Sequence, residues 1–224
     1  MEPVLNRALG ICAAHGTLAG NQRHMFDLIL DQEVEELGIV SQFAPVYVNG
    51  SPNVNLGSTM METTARLQAL IMYQIIRRFS NRARDFGKAA TQEALLTSWT
   101  RELQLQLQLL RNITPLDGYA VSVGPSPTMI DEDVIDSAYR AVLMSYMVRA
   151  VHSVLNYKTC AVWDDLLTLV VPASLSGKME ILYPDYANQW VGGLVPSLGP
   201  EDRRLANLIV AACKGVASVQ PAAT

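Results

Sequence analysis

Residues 91–112 have the sequence TQEALLTSWTRELQLQLQLLRN, and the secondary structure of this stretch decides the fold class. The Leu-Gln alternation from 103 to 109 is typical of a β-strand, whereas the apolar residues from Leu96 to Leu110 recur at helical spacing. The helical stripe extends over about four turns, and alanine, leucine, glutamine and glutamate favour helices. The stretch therefore predicts a helix, with Leu105 and Leu109 on a second apolar face.

Helical patterns recur along the rest of the chain. Residues 4–38 predict two helices joined by a turn at Gly16–Gly20, and Gly38 is typical of a helix end. We expect the acidic residues of the second helix on its outer side: Asp31, Glu33, Glu35 and Glu36. A further helix is predicted from Thr59, which forms a capping box with Glu62, to Ser80, with a frayed extension to Gly87. Two more are predicted, one from Thr128 over nearly thirty residues and one from Pro200 to about Gly215.

These elements predict a mainly α fold. We expect six or seven helices in a compact irregular bundle, with long loops rich in proline and glycine and at most short strands. A chain of 224 residues fits one domain, 1–224, and the Pro/Gly-rich residues 113–128 are the candidate for a subdomain boundary. Residues 41–57 and 172–200 are predicted to be irregular.

The composition excludes several classes of protein. Hydrophobic residues make up 50% of the chain, which excludes disorder. No run of about 18 apolar residues is free of charges, so no transmembrane segment is expected. Charged residues are only 17%, against about 25% in an average protein. The net charge of −4 disfavours a general nucleic-acid binder.

The cysteines and the amino terminus indicate the compartment. Cys12, Cys160 and Cys213 are an odd number at wide spacing, which is not the pattern of a disulfide framework. The first residues are a poor match to a secretory leader. We therefore expect free thiols in a reducing compartment, the cytoplasm, or a location in the virion if the protein is viral.

No catalytic or metal-binding motif stands out. The acidic residues 131–136 suit the first turn of a helix, the pair Cys12 and His15 lacks the further ligands of a zinc site, and His152 lies among apolar residues on a helix. Phosphate-binding and nucleophile motifs are lacking. We expect no catalytic residues, no metal and no cofactor.

The strongest charged feature is a run of five cations interleaved with two phenylalanines. Arginine pairs with phosphate and aromatic rings stack on bases, so this run is a candidate contact for nucleic acid or for an acidic partner. The alternative is that the cations stabilise a helix C-terminus. The residues are Arg77, Arg78, Arg82, Arg84 and Lys88, with Phe79 and Phe86 between them.

The balance of residue types favours protein contacts. The chain has 13 arginines, 9 methionines and 8 tyrosines but only 4 lysines, and arginine, methionine and tyrosine are enriched in interfaces; codon preference is the alternative explanation. The two irregular segments are too apolar for solvated loops. Their candidate assembly contacts, unless they fold back onto the core, are Phe43, Tyr47, Tyr183, Tyr186 and Trp190.

Three functions remain open at this stage. The first is a structural subunit that forms a homo-oligomer or packs with other assembly proteins, such as a shell component of a virus or phage. The second is a nucleocapsid-type RNA-binding protein that uses the run from Arg77 to Lys88. The third is a helical enzyme with an unidentified site.

Overall fold

The computed structural model describes residues 3–18, 22–42, 56–80, 82–113, 130–171, 181–191 and 199–214. Helix accounts for 87% of these residues, which confirms the mainly α fold. The described ranges contain nine helices and one two-stranded sheet. The helices are α1 (Pro3–Thr17), α2 (Arg23–Gln42), α3 (Leu56–Arg78), α4 (Ala83–Thr91), α5 (Glu93–Ile113), α6 (Glu132–Tyr157), α7 (Trp163–Leu167), α8 (Tyr183–Val191) and α9 (Pro200–Lys214), and the strands are β1 (Val170–Val171) and β2 (Ile181–Leu182).

The chain divides into two compact units, Met1–Ala138 and Tyr139–Thr224. The division falls within α6. Residues 114–128, the greater part of the candidate subdomain boundary, lie outside the described residues. Within the described ranges, none of the helices combines the length and the hydropathy that a bilayer crossing requires.

Helix α3 is the centre of the first unit and packs against α1, α2, α4 and α5. Four of its large side chains, Met60, Leu67, Leu70 and Tyr73, are fully buried. Opposite them, α5 buries Leu96, Trp99, Leu103 and Leu107, the stripe that its sequence predicts. The helical interpretation of residues 91–112 is therefore confirmed, and burial of this stripe supplies much of the driving force for packing α5 on α3.

The second unit combines a short sheet with helices. Strands β1 and β2 are antiparallel, with Val171 opposite Ile181. Helix α8 follows β2 directly and packs on α9. The Tyr183 hydroxyl donates a hydrogen bond of 2.8 Å to the Ile209 carbonyl, and Arg140 of α6 pairs with Asp202 of α9 at 2.8 Å. These two polar contacts fix α8 and α6 relative to α9.

Several predicted helix boundaries are wrong. Helix α2 continues through Gly38 to Gln42, and Gly87 lies inside α4. Helix α3 begins at Leu56, so Thr59 lies within the helix and is not the N-cap that the predicted capping box requires. Helix α6 begins at Glu132, four residues after its predicted cap Thr128, which lies outside the described residues. The Asp131 carboxylate accepts a hydrogen bond from the Asp133 N–H at 3.1 Å and caps the helix. The start of α9 at Pro200 is confirmed.

Candidate functional site

The five predicted contact cations all lie where α3 ends and α4 begins. Arg77 and Arg78 form the last turn of α3, Arg82 immediately precedes α4, and Arg84 and Lys88 lie on α4. Positive side chains at the end of α3 interact favourably with its dipole. The structure brings the five together, and it also brings carboxylates of α2, α4 and α5 to them.

Asp31 of α2 binds the most buried of these cations. The Arg77 side chain is only 2% exposed, and its Nη2 lies 2.6 Å from Asp31 Oδ1. Lys88 pairs with the other oxygen of the same carboxylate, and Arg84 Nη2 lies 4.0 Å from it. Burial lowers the pKa of Arg77, because the charged form loses its hydration. Asp31 thus joins α2 to both α3 and α4, and the expectation that it faces outward is wrong.

Asp27 binds Arg82 through both carboxylate oxygens, at 2.7 Å and 2.8 Å. Asp85, in the first turn of α4, pairs with the same guanidinium at 2.7 Å. The hydrogen bonds from Arg82 lower the pKa of Asp27 against the opposing effect of burial, and the charges of Arg82, Arg84 and Lys88 add to the lowering. The bond to Asp27 raises the pKa of Arg82 in turn.

Arg78 is held by α5 and by its own helix. Its Nε donates to Gln74 Oε1 at 2.7 Å, and its guanidinium pairs with Glu93 at the start of α5. Gln74 in turn donates to Gln92 at 2.8 Å. The five cations therefore face four carboxylates of the same chain, and we call this set of nine charged residues the ionic cluster. Its members are Asp27, Asp31, Arg77, Arg78, Arg82, Arg84, Asp85, Lys88 and Glu93.

The ionic cluster is mainly an intramolecular connection between helices. Arg77 and Arg78 are buried, and Arg82 and Lys88 are partly covered. Arg84 is the most exposed of the five cations, with 55% of its side chain accessible, and Phe79 nearby is also exposed. A nucleic-acid phosphate would meet one accessible arginine rather than five.

The predicted assembly aromatics have a different environment. Tyr183 and Tyr186 are fully buried in the second unit, so neither side chain presents a surface to a neighbouring molecule. Trp190 is half-buried, with its ring 6.2 Å from that of Tyr186. Phe43 and Tyr47 lie outside the described residues. Both tyrosines therefore fold back onto their own core, which was the alternative prediction for these residues.

The remaining candidate residues do not form a chemical site. The described residues contain no group of three or more histidine, cysteine or acidic side chains that could hold a metal ion. Cys12 is partly buried, which raises its thiol pKa, and His15 packs beside Phe26 at a ring distance of 5.4 Å. Both residues contribute to packing where they stand.

No family model, no curated protein and no solved structure matches the chain. Evidence about the function of the chain therefore comes from its exposed surface, where an apolar face on α2 stands out.

Helix α2 is apolar on two opposite sides. Its inner side buries Phe26, Leu30, Val34 and Leu37 in the first unit. Its other side exposes four large apolar residues, which fall within about 100° of arc around the helix. We call them the outer stripe: Met25, Leu28, Ile29 and Ile39, which are 68%, 51%, 44% and 55% exposed.

The outer stripe was not predicted from the sequence, because the four acidic residues of α2 were expected to mark its solvent side. The signal was present in the sequence: apolar residues at 25, 28, 29 and 39 share one side of a helix whose other side is already apolar. A helix that is apolar on both sides has more apolar surface than one core can cover. Such a helix is typical of a protein that meets a second partner.

Proposed function

We propose that the protein is a structural subunit that associates with other protein molecules through its exposed apolar surface. The observation that carries the proposal is the outer stripe, because a soluble monomer rarely leaves four large apolar side chains on one face of a helix. Non-obligate interfaces combine such apolar residues with polar neighbours. The opposite side of the same helix is buried in the core of the first unit, which holds the helix and its outer stripe in place.

A second exposed apolar group supports the proposal. The end of α6 and the short α7 expose five large side chains, two of them aromatic: Val154, Leu155, Tyr157, Trp163 and Leu167. Exposed aromatic residues are frequent anchors of protein interfaces. A subunit with contact surfaces in both of its units has the means to form assemblies larger than a dimer. A closed viral or phage shell is one assembly of that kind.

The charge distribution agrees with this proposal better than with RNA binding. Four of the five candidate cations are wholly or partly covered and pair within the chain, so few are available to release counterions from a phosphate backbone. RNA binding nevertheless remains the second candidate, because Phe79, just after α3, and Arg84, in the first turn of α4, are both exposed and only five residues apart in the sequence. These two residues would provide a charge and a stacking ring.

The test of self-association is the molar mass of the purified protein over a concentration series, measured by sedimentation and light scattering. We expect the mass to rise with concentration, and Leu28→Glu to lower it. Leu208→Glu is the matched control, because Leu208 is 48% exposed on α9 and lies outside both apolar groups. A wild-type protein that stays monomeric at every concentration and salt would refute the proposal. Electron microscopy of the concentrated sample would show whether the assembly is closed.

A further inference from the structure

Helix α2 makes its polar contacts with the rest of the first unit through carboxylates. Within the part of the chain that the structure describes, each hydrogen bond or ion pair from an α2 side chain to another element uses an acidic group of α2. The partners are cations, apart from the Tyr73 hydroxyl, which lies 3.5 Å from Glu33. The acids are Asp27, Asp31, Glu33 and Glu36, and the cations are Arg7 of α1, Arg77 of α3, and Arg82, Arg84 and Lys88 at the start of α4 and within it.

These contacts hold α2 along its length. Asp27 and Asp31 are one helical turn apart, so they lie on one side of α2, and together they bind four cations of α3 and α4. Further along, Arg7 of α1 lies 2.9 Å from Glu36 and 3.7 Å from Glu33. Protonation of the α2 carboxylates would therefore weaken its polar contacts with three elements at once.

The contact between α3 and α5 depends much less on carboxylates. It buries the apolar stripe of α5, and the Gln106 amide donates to the Thr63 hydroxyl at 3.4 Å. Amide and hydroxyl groups of this kind do not titrate in acid. The ion pair between Arg78 and Glu93 is the exception. Acid should therefore affect the two sides of α3 differently.

We propose that α2 is an acid-sensitive switch: when its carboxylates are protonated, α2 separates from α1, α3 and α4, while α3 and α5 stay packed. This inference goes beyond the proposed function and does not require association. Protonation leaves the four cations of α3 and α4 close together without the α2 carboxylates that offset them, and repulsion among like charges then opposes docking. Because the outer stripe lies on α2, the switch also controls where this apolar surface is held.

Other charged or titratable groups face the same contact. Asp85 of α4 pairs with Arg82 at 2.7 Å, and it is the one carboxylate that α4 contributes there within the described ranges. On the side of α1, the His15 ring lies 5.4 Å from that of Phe26. A proton on His15 would add a further positive charge beside α2 and would not replace a lost carboxylate.

The direction of the pKa shifts gives the pH range of the switch. Hydrogen bonds from Arg82 lower the pKa of Asp27, and hydrogen bonds from Gln32 and Arg7 lower the pKa of Glu36. Groups with a lowered folded pKa stabilise the docked state above their ordinary pKa values, and this contribution is lost as the pH falls through the folded values. The switch is therefore closed at neutral pH and opens below about pH 4.

The first experiment is hydrogen exchange of the wild-type protein, read by mass spectrometry from about pH 6 to about pH 2.5, with each rate divided by the intrinsic rate at that pH. It is made at a low, fixed protein concentration, so failure of the proposed self-association leaves it intact. As the pH falls, we expect α2 to lose protection before α5, with a difference of at least about 10-fold. If α2 and α5 lose protection together, α2 is not a separate switch and the inference is overturned.

The second experiment imitates protonation at neutral pH. The double variant Asp27→Asn with Asp31→Asn should exchange its α2 amides at least about 10-fold faster than wild type, with α5 unchanged. The matched control is Glu35→Gln with Asp164→Asn, which also removes two negative charges. Both control residues are exposed and form no ion pair within the described ranges, so the exchange of α2 should stay at the wild-type rate.

The two experiments decide the inference together. Wild-type protection of α2 in the Asp27→Asn, Asp31→Asn variant would overturn it, as would equal acceleration of α2 in the control. Circular dichroism shows whether the variant remains helical, and if it unfolds as a whole, the pH series on the wild-type protein gives the answer.

Discussion

The guanidinium of Arg82 binds both carboxylate oxygens of Asp27, at 2.7 Å and 2.8 Å, although 55 residues of chain separate them. Two parallel N–H···O bonds fix the relative orientation of the two groups as well as their distance. The contact joins the start of α2 to the start of α4. It also shows why a run of basic residues in the sequence need not be a basic surface in the folded protein.

Asp27→Asn is expected to destabilise the first unit by about 2 kcal/mol at neutral pH, because it weakens two charge-assisted hydrogen bonds. Asp27 has a lowered pKa in the folded protein, so its contribution is present above the ordinary aspartate pKa and is lost as the pH falls through the folded value. The difference between wild type and variant should therefore shrink in acid. Urea unfolding over a pH series measures it. Asp164→Asn, on an exposed side chain of α7, should change the free energy of unfolding by less than about 0.5 kcal/mol.

Arg77→Ala is expected to cost about 3–5 kcal/mol, because it deprives Asp31 of its most buried partner and leaves a void. Arg77→Met keeps most of the volume and should cost less. Arg84→Met, on the most exposed cation of the cluster, should change the free energy of unfolding by less than about 0.5 kcal/mol. Equal effects at Arg77 and Arg84 would contradict the structural role given to the buried arginine.

Leu96→Ala should destabilise the protein by about 3 kcal/mol, because the Leu96 side chain of α5 is fully buried. Leu105→Ala is the matched change on the same helix at a position that is 60% exposed, and it should cost less than about 0.5 kcal/mol. The comparison, made by thermal or chemical unfolding, tests the rotational setting of α5. Similar losses at both positions would mean that α5 is rotated relative to the structure.

Tyr183→Phe removes the hydroxyl that binds the Ile209 carbonyl and should cost about 1 kcal/mol, because one buried hydrogen bond is lost. Tyr186→Phe is the informative control. The Tyr186 hydroxyl is buried without a partner among the described residues, so its removal should be neutral or slightly stabilising. Unfolding in urea distinguishes the two variants, and a larger loss at Tyr186 would reveal a partner for its hydroxyl.

RNA binding is expected to be weak at physiological salt, because the ionic cluster pairs most of the candidate cations. Fluorescence anisotropy with a single-stranded oligonucleotide over a salt series measures it. Any binding that does occur should fall with Arg84→Glu, since this side chain is the most accessible of the five. Tight binding that persists at high salt would favour the RNA-binding function instead.

The sequence predicted those parts of the fold in which the information is local. The stripe from Leu96 to Leu107 and the proline at position 200 each identified a helix from neighbouring residues alone. Helix α8 was missed because its nine residues, which include Pro184, are fewer than the roughly 11 over which a helical repeat can be recognised. Helix α4 was missed because Gly87 was taken as a helix end, although packing on α3 overrides that preference.

The candidate site was harder to predict, because it depends on residues far apart in the chain. The five cations are close together in the sequence and were predicted as one contact, but Asp31 lies 46 and 57 residues from Arg77 and Lys88. No local pattern shows that these side chains will meet. The tyrosines of α8 illustrate the opposite error: Tyr183 and Tyr186 were weighed as surface residues because the short helix that buries them was not recognised.

The separation between Asp27 and Arg82 also matters while the protein is being made. A ribosome adds about 5–20 residues per second, so α2 emerges roughly 3–11 s before the residues that neutralise its carboxylates. During that interval both apolar sides of the nascent α2 are exposed, and the outer stripe remains so after the inner side is buried.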